Sequence, residues 1–371
     1  MDKDELQILI EQELFAQLES NYTLLANVPS VSNTLLNELQ NQPWRDQIRY
    51  ALGLEEHHEC EGSAQSCTKS KMPLLSTKLV ALTYGANGKD PREIVPALAG
   101  VFLVQQASSI LDDIQDRDRD DSLDNLLNIS TAMNIALLML SRGQELITCT
   151  LARSSAEDNK TATSYLKLVT ELNKAVGTAL RGQLLDLQEN SVPLPLRTIS
   201  VENYVAKIVL KSSSRFSFLA ELGARLGGAT DSLASGYRQF GFVAGIALNL
   251  MSDLYDFAGA GEEGIEECRD YRTGVFNLPL IYAYESQETE AAKQEFLQVW
   301  QQSLNSPEYL QAFKEKLNWN LAYQQTIAAI SSYIGEAERV LKQIDPALEK
   351  QPHRDLVWLL QQHISPEVLA G

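Results

Sequence analysis

The sequence has 371 residues with 49 acidic and 31 basic side chains, which gives a formal net charge of −18. Nucleic acids bind to basic surfaces, so a chain this acidic is not expected to bind them. The same charge repels anionic substrates, so attraction for them must come from bound metal or from a few well-placed cations.

Cysteine usage and the start of the chain predict a cytoplasmic protein. The chain opens with charged residues and shows no secretory signal. No run reaches the roughly 18 uninterrupted apolar residues of a membrane span, so no transmembrane segment is expected. The cysteines are scattered, as is usual in a reducing compartment. They are Cys60, Cys67, Cys149 and Cys268.

The first 72 residues are predicted to form short helices and then a polar loop. The apolar residues of the first helix recur every fourth position. The predicted helices are Leu6–Leu18, Val31–Leu39 and Trp44–Leu54. The loop that follows contains His57, His58, Cys60 and Cys67. Zinc is one interpretation of these four residues, but their spacing fits no standard finger, so a solvated loop is preferred.

The rest of the chain predicts an all-α fold, because its long runs are rich in Leu, Ala, Gln and Glu. Asp90 and Pro91 are predicted as the N-cap and first-turn proline of the helix that continues past Ile94. Pro193 and Pro195 interrupt the helical pattern. The predicted helices are Pro73–Tyr84, Ile129–Leu151, Ala162–Gln188, Val201–Leu226, Ser232–Phe257, Leu278–Tyr284, Thr289–Ser303, Pro307–Leu317, Trp319–Ile344 and Asp355–His363, with a loop at Gly259–Gly264.

Three aspartates stand at the end of the helix that begins near Ile94: Asp112, Asp113 and Asp116. Asp112 and Asp116 are four residues apart, so their carboxylates lie on one face of a helix. Stacked carboxylates repel each other unless a cation lies between them, and Mg²⁺ prefers such oxygen ligands together with a substrate phosphate. The pattern therefore predicts a Mg²⁺-bridged diphosphate site. An acidic helix end in an acidic protein is the alternative.

A second acidic stretch, with Asp253 and Asp256, ends another long apolar helix more than a hundred residues later. Together the two stretches resemble the aspartate-rich motifs of the trans-polyprenyl diphosphate synthases, which are class I isoprenoid synthases. Three further segments match that family in order and spacing. They are Gly182–Leu187, which contains Gln183, the pair Lys211–Ser212, and Asp270–Gly274 followed by Asn277–Pro279. The resemblance runs from about Pro73 to the C-terminus, which implies an N-terminal extension over residues 1–72 and a synthase domain over residues 73–371.

The resemblance implies a helical bundle around a deep central pocket, in which Mg²⁺ helps an allylic prenyl diphosphate to ionise. The metal ligands would be the aspartates of the two motifs: Asp112, Asp113, Asp116, Asp253 and Asp256. Lys211 would hold a phosphate oxygen, with Arg117 as a second diphosphate-binding cation, and Gln183 would face the carbocation. A surface lysine and a structural amide are the alternatives for Lys211 and Gln183. The resemblance also implies a homodimer.

Departures from the family concern the site for isopentenyl diphosphate. The family's histidine position falls near Gln105, its Arg pair corresponds to Asp121–Ser122, and its Gly-Lys after the second motif reads Gly261–Glu262. Ser252 replaces the first aspartate of the second motif. The loss of these cations indicates that the acceptor diphosphate site is dismantled while the ionising site is retained.

The resemblance also bears on chain length. The family closes its pocket floor with bulky residues just before the first motif, where this chain has Ala107 and Ser108. We therefore expect room for a prenyl chain of fifteen to twenty carbons or longer. Ordinary helix packing is the alternative explanation for these small residues.

Three functions remain open from the sequence. The first is prenyl transfer to an acceptor without a diphosphate, either a small molecule or a peptide. The second is a terpene synthase, in which the substrate's own double bonds capture the cation. The third is a non-catalytic regulatory subunit, which the retained aspartates of the first motif make less attractive, because a cluster of like charges is costly to keep.

Overall fold

A computed structural model describes residues 5, 7–10, 12–14, 75–116, 122–157, 162–193, 196–261 and 264–361. Every element within these ranges is a helix, which confirms the all-α prediction. The chain divides into two compact units, the first Met1–Ala81 with Lys89–Lys167 and the second Leu82–Gly88 with Leu168–Gly371. The predicted boundary after residue 72, the loop with His57, His58, Cys60 and Cys67, and the predicted helices near residues 31–39 and 44–54 lie outside the described residues.

The first unit is built mainly from two long antiparallel helices. Its elements are α1 (Leu75–Gly85, which continues into the second unit), α2 (Val95–Asp116), α3 (Leu123–Leu126) and α4 (Ile129–Glu157), with a 3₁₀ turn at Pro91–Ile94 before α2. Asp90 caps that turn as predicted, because its Oδ1 accepts a hydrogen bond of 3.0 Å from the Arg92 N–H and Pro91 follows it. The described N-terminal residues are helical and bury Ile10 and Leu14.

Close backbone contact joins α2 to α4. A Cβ added to Gly100 would lie 2.6 Å from the carbonyl oxygen of Gly143, and a Cβ on Gly143 would lie 2.6 Å from that of Gly100. Only glycine permits this approach, which brings the two backbones together over a core that includes the fully buried Phe102 and Ile147.

By length and composition, two helical segments could each cross a membrane, Pro91–Gln115 and Ile129–Ser154. Core helices of soluble proteins meet the same criterion, and 61% and 44% of the two apolar windows are buried inside the protein. These segments are identified by their mean hydropathy, which tolerates a few polar residues, whereas the sequence-based expectation rested on the lack of a long uninterrupted apolar run. The expectation that the chain has no transmembrane segment therefore stays a prediction.

The second unit surrounds one central helix, α8. Most of α5 (Ala162–Ser191) belongs to this unit. The elements that follow are α6 (Val201–Ile208), a π-helical turn (Val209–Ser213), α7 (Ser214–Leu226), α8 (Asp231–Ala260), a 3₁₀ turn (Ile265–Glu267), α9 (Arg269–Thr273), α10 (Leu278–Glu285), α11 (Glu290–Ser303), α12 (Pro307–Lys316), α13 (Trp319–Ile344) and α14 (Gln351–Gln361). Helix α8 packs against α7, the π turn and α13, and α10 packs against α13.

Two predicted boundaries in this unit were wrong for physical reasons. The predicted helix Val201–Leu226 is divided by the π turn, in which the hydrogen-bond spacing widens at Lys211 and Ser212. The loop predicted from Gly259 begins later, because α8 continues to Ala260 and an isolated glycine is tolerated in a helix. Trp319–Ile344 has the bounds predicted for it.

The last described helix, α14, is held in the second unit by a buried histidine. His353 is fully buried, and its Nε2 lies 2.6 Å from the hydroxyl of Tyr237 in α8. Its Nδ1 lies 2.8 Å from Oδ2 of Asp345, and this bond lowers the pKa of Asp345 to about 2. Each ring nitrogen therefore has a partner, which satisfies an otherwise costly buried polar group.

Replacing Gly100 with alanine is expected to destabilise the protein by about 1–3 kcal/mol, because the new methyl group would collide with the backbone of α4. Gly177→Ala in α5 is the matched control, since nothing lies within 4 Å of its added Cβ. The control should stabilise the protein by roughly 0.5–1 kcal/mol. Urea unfolding followed by circular dichroism measures both changes, and equal effects of the two substitutions would contradict the backbone contact.

Candidate active site

The first predicted motif lies at the end of α2 in the first unit. Asp112 and Asp113 are partly buried. Asp116 is the last residue of α2, so its backbone stands one helical turn beyond Asp112, as the sequence predicted. The side chain of Asp116 and the whole of Arg117 lie outside the described residues. The oxygen chemistry of this motif suits Mg²⁺.

The predicted pocket-floor residues lie one turn earlier in α2. Ala107 is fully buried, whereas Ser108 is exposed and donates a hydrogen bond of 2.9 Å to the carbonyl oxygen of Val104. Both side chains are small, but their role as a floor stays a prediction.

Gln105 stands where the resemblance would place the acceptor-binding histidine. Its Oε1 accepts a hydrogen bond of 3.1 Å from the hydroxyl of Ser76, which is buried in α1. A neutral amide engaged by a neighbouring hydroxyl offers no positive charge to an anionic ligand. The expected loss of the acceptor diphosphate site stays a prediction.

In the second unit, Asp253 of the second motif is buried and bound to two other segments of the chain. Its Oδ2 accepts hydrogen bonds from the hydroxyl of Tyr204 in α6 and from the N–H of Leu278, the latter at 3.3 Å. Burial, reinforced by the nearby charge of Asp270, raises the pKa of Asp253 to about 8. Asp253 thus ties α6 and α10 to α8.

Asp256 acts as a cap for the short helix α9. Its carboxylate accepts hydrogen bonds of 3.0 Å from the N–H of Arg269 and 3.0 Å from the N–H of Asp270. The thiol of Cys268 donates a third at 3.1 Å, and burial raises the pKa of that thiol. Ser252, which replaces the first aspartate of the motif, is exposed. Asp253 and Asp256 therefore have structural partners, and their metal-binding role stays a prediction.

Lys211 lies in the π turn, directly against α5. A Cβ added to Gly182 would lie 2.5 Å from the backbone nitrogen of Lys211, so only glycine allows this approach. The Lys211 ammonium is 3.5 Å from Oδ2 of Asp186, one turn further along α5. Lys207 is 3.3 Å from the other oxygen of Asp186 and 2.7 Å from Glu189. The Gly182 and Lys211 segments picked out in the sequence are therefore brought together.

A chain of polar contacts links the π turn to Asp253. The hydroxyl of Ser212 donates a hydrogen bond of 2.7 Å to Oδ1 of Asn249 in α8. The amide nitrogen of Asn249 lies 3.5 Å from the hydroxyl of Tyr204, which in turn donates to Asp253. A displacement of the π turn would thus be transmitted to the second motif.

The side chain of Gln183 has both polar atoms buried, and neither has a hydrogen-bond partner within the described part of the chain. A buried polar group without a partner costs about 1–3 kcal/mol. Such a cost is usually tolerated where a ligand completes the site. Gln183 follows Gly182 in sequence, so its amide belongs to the segment that contacts Lys211.

No group of three histidine, cysteine, aspartate or glutamate side chains within the described ranges is positioned to hold a metal ion. In the second unit, Asp253 and Asp256 are instead occupied by internal donors. In the first unit, the side chain of Asp116 is not among those described. The first motif therefore fits Mg²⁺ by its donor chemistry, whereas the second does so less directly.

Sequence reasoning missed Tyr204, Asn249 and the ion-pairing role of Lys207. A signal for two of them was present, because Tyr204, Lys207 and Lys211 follow the i, i+3, i+7 spacing of one helical face. Asn249 stands at the start of the second acidic stretch, but its partner Ser212 is 37 residues away. A contact at that separation has no local sequence signal.

Comparison with known proteins identifies similar chains. Residues 66–317 match the family model described as polyprenyl synthetase. The chain is 28% identical over 213 residues to a geranylgeranyl diphosphate synthase from Methanosarcina mazei, covering 57% of this chain and 63% of that protein. It is 29% identical over 134 residues to the octaprenyl diphosphate synthase of Escherichia coli, covering 36% of this chain and 40% of that protein. These matches span less than two thirds of either relative.

Solved structures share the fold. A geranylgeranyl pyrophosphate synthase aligns over 98% of this chain and 99% of its own, with a TM-score of 0.69 and 18% identity. A polyprenyl synthase from Caulobacter crescentus CB15 aligns over 86% of this chain and 93% of its own, with a TM-score of 0.65 and 18% identity. That protein was solved in complex with calcium and isoprenyl diphosphate. At this identity the likeness establishes the isoprenoid synthase fold alone.

The raised pKa of Asp253 predicts how stability depends on pH in the absence of metal. A folded-state pKa of about 8, above the ordinary aspartate value of 3.8, contributes stability that is fully present below pH about 4 and is lost as the pH rises through about 8. Asp253→Asn removes this titration, so relative to wild type the variant should become more stable as the pH rises from 4 to 9.

Urea unfolding in the presence of a chelator measures this difference at each pH. Glu308→Gln, an exposed carboxylate in α12, is the control and should show no such trend. If the free energies of unfolding of wild type and Asp253→Asn differ by the same amount at every pH, the raised pKa of Asp253 is contradicted.

Proposed function

The chain belongs to the polyprenyl synthetase family, and on that premise we propose that it is a Mg²⁺-dependent prenyltransferase. It ionises an allylic prenyl diphosphate and transfers the prenyl group to an acceptor other than isopentenyl diphosphate. The C1–O bond breaks, the diphosphate leaves with the electron pair, and an electron pair of the acceptor forms the new bond to C1 while the acceptor loses a proton.

The observation that carries this proposal is the contact between Gly182 and Lys211. It brings the π turn against α5 and places an ammonium group beside the segment that contains the unpartnered amide of Gln183. The two segments match the family in order and spacing, and both lie inside the region covered by the family model. An ammonium group and a buried amide that has no partner among the described residues suit a leaving diphosphate and a developing cation.

Each predicted residue has a role in this proposal. The carboxylates of Asp112, Asp113 and Asp116 would hold Mg²⁺, which when bound acts as a Lewis acid on the leaving diphosphate. Lys211 and Arg117 would bind diphosphate oxygens, and Gln183 would orient its amide oxygen towards the cation. Asp253 and Asp256 are proposed as further metal ligands from α8. The similar Caulobacter crescentus structure was solved with calcium and isoprenyl diphosphate, so this fold accommodates a divalent cation and a prenyl diphosphate in that protein.

The proposed nature of the acceptor rests on the absence of cations that the family uses to bind isopentenyl diphosphate. Asp121 and Ser122 stand where the family has an Arg pair, and Gln105 is engaged by Ser76. A second diphosphate would meet added negative charge there, which disfavours it in an acidic protein. The acceptor is therefore a small molecule or a peptide without a diphosphate. The small side chains of Ala107 and Ser108 favour a prenyl donor of fifteen to twenty carbons or longer.

A second candidate is a prenyl diphosphate synthase that elongates its substrate with isopentenyl diphosphate. The relatives favour it, because they are geranylgeranyl and octaprenyl diphosphate synthases. Elongation would require other cations to bind isopentenyl diphosphate in place of the family's Arg pair and histidine.

An exposed apolar stripe on α4 supports a homodimer. Ile129, Met133 and Leu137 recur every fourth residue, and the side chains of Met133 and Leu137 are 42% and 51% exposed. A continuous apolar helix face in water is characteristic of an interaction surface. A second copy of the chain is the occupant we propose for it, as the resemblance to the family implies.

Incubation with ten-, fifteen- and twenty-carbon allylic diphosphates and Mg²⁺, with and without isopentenyl diphosphate, tests the function. We expect diphosphate release from the longer donors that isopentenyl diphosphate does not accelerate. Lys211→Gln should lower the rate by about 100-fold or more, since it removes a charge that stabilises the leaving group. Lys174→Gln is the matched control, because Lys174 is an exposed lysine paired with Glu171 in an ion pair of small energetic value.

The products distinguish the alternatives. Longer prenyl diphosphates that form only with isopentenyl diphosphate would establish the elongating synthase instead. A cyclic or linear terpene from one diphosphate alone would indicate a terpene synthase. Diphosphate release that requires a second, complete synthase would indicate a regulatory subunit. Equal rates for Lys211→Gln and Lys174→Gln would remove Lys211 from the mechanism.

Introducing negative charges into the apolar stripe of α4 tests the proposed dimer. Met133→Glu combined with Leu137→Glu should convert a dimer into a monomer, because burying two carboxylates in an apolar interface is costly. Light scattering after size-exclusion chromatography measures the mass. Leu321→Glu, an exposed leucine in α13, is the control and should stay dimeric. A monomeric wild type, or a double variant that remains dimeric, would refute this interface.

A further inference from the structure

The second unit contains a cavity of about 570 Å³ that none of the predicted site residues lines. It lies among α6, α8, α10 and α13. Its size falls within the range of small-molecule pockets, about 300–1,000 Å³. The aliphatic part of its wall comes from Val201, Val205, Leu250 and Leu278. An apolar molecule would therefore find a matching surface there.

Two tyrosines give this cavity a polar side. Tyr282 and Tyr333 both line it and lie close enough to influence each other electrostatically. Burial raises the pKa of Tyr282, so its hydroxyl stays protonated at neutral pH. Neither hydroxyl has a hydrogen-bond partner among the side chains and backbone groups that the structure describes. Two hydroxyl donors are thus available to an oxygen of a ligand.

The charged groups at the cavity cancel each other. Glu336 and Arg339 both line it, and they form a two-contact ion pair of 2.7 and 2.5 Å. The pair leaves no net charge at the cavity to attract an ionic ligand. The cavity therefore favours an uncharged ligand.

Gly335 keeps the cavity open on the side of α13. It lies in the interior of that helix, where glycine is destabilising relative to alanine. A Cβ added to it would meet no atom within 4 Å. A methyl group at this position would therefore be accommodated without a clash, whereas a much larger side chain would extend into the space beside the cavity wall.

Three of the four elements around the cavity, α6, α8 and α10, also hold Asp253. Val205 follows Tyr204, which donates to Asp253, and Leu250 precedes Asp253 by three residues in α8. Leu278 donates its own N–H to Asp253. A ligand that shifted any of these walls would shift the hydrogen bonds of that carboxylate.

We propose that this cavity is a binding site for an uncharged amphipathic molecule, a hydrocarbon chain with a single oxygen that accepts from Tyr282 and Tyr333, for which farnesol is the probe. Occupancy fixes α6, α8 and α10 relative to one another and so alters the setting of Asp253. The proposed ligand binding does not depend on the proposed function. The proposed effect of the ligand on turnover does depend on that function.

Equilibrium dialysis with tritiated farnesol, in the presence of a chelator, tests binding to the full-length protein. Gly335→Phe should fill the cavity and weaken saturable binding at least 10-fold, while the matched Gly335→Ala should bind farnesol as wild type does. Tyr282→Phe with Tyr333→Phe keeps the volume and removes the hydroxyls, so it should weaken binding about 3- to 10-fold. Circular dichroism of each variant establishes that it is folded.

Wild-type affinity for farnesol in both Gly335→Phe and the double tyrosine variant would overturn the site. For the regulatory part, farnesol should change the rate of diphosphate release by wild type and leave that by Gly335→Phe unchanged. An unchanged wild-type rate would refute the regulatory part and leave the binding site standing. If no prenyl diphosphate is turned over, the proposed function fails while the dialysis still decides the site.

Discussion

The buried carboxylate of Asp253 is the constraint around which the second unit is arranged. A carboxylate in an apolar interior requires donors, and it receives them from the Tyr204 hydroxyl and the Leu278 N–H. These donors belong to α6 and α10, so satisfying one side chain of α8 fixes the positions of two further helices. Through Tyr204 the arrangement extends to Asn249, Ser212 and the π turn. The position of Lys211 therefore depends on a carboxylate 42 residues later in the sequence.

Glycine residues allow the backbones of neighbouring elements to approach each other closely. Gly100 and Gly143 do so between α2 and α4, and Gly182 does so between α5 and the π turn. In both places a single methyl group would meet a backbone atom at 2.5–2.6 Å, which side-chain rotation cannot relieve. The π turn is thus held from two directions, by steric contact at Lys211 and by a hydrogen bond at Ser212.

Local sequence signals were sufficient for most helices. Asp90 caps its turn because a capping side chain acts within three residues, and Trp319–Ile344 has an uninterrupted apolar period between clear end signals. They were insufficient for the π turn, whose widening depends on contact with α5 and α8. They also could not show that Asp256 caps α9, since an acidic residue near the end of a helix looks the same whether it binds a metal or a backbone N–H. The motif identified the carboxylates, but only the fold supplied their partners.

The charge balance around Lys211 bears on the proposed binding of a diphosphate by so acidic a chain. Lys211 and Lys207 share Asp186, and Lys207 also contacts Glu189, so the cations are held in place by carboxylates before any ligand arrives. The 3.5 Å separation of Lys211 from Asp186 is a loose contact at a partly exposed position, where an ion pair is worth little. A diphosphate carries more charge than one carboxylate and could replace it as the partner of Lys211 at small cost. Lys207 would remain between Asp186 and Glu189, so one cation would stay with these two carboxylates while the other turns to the ligand.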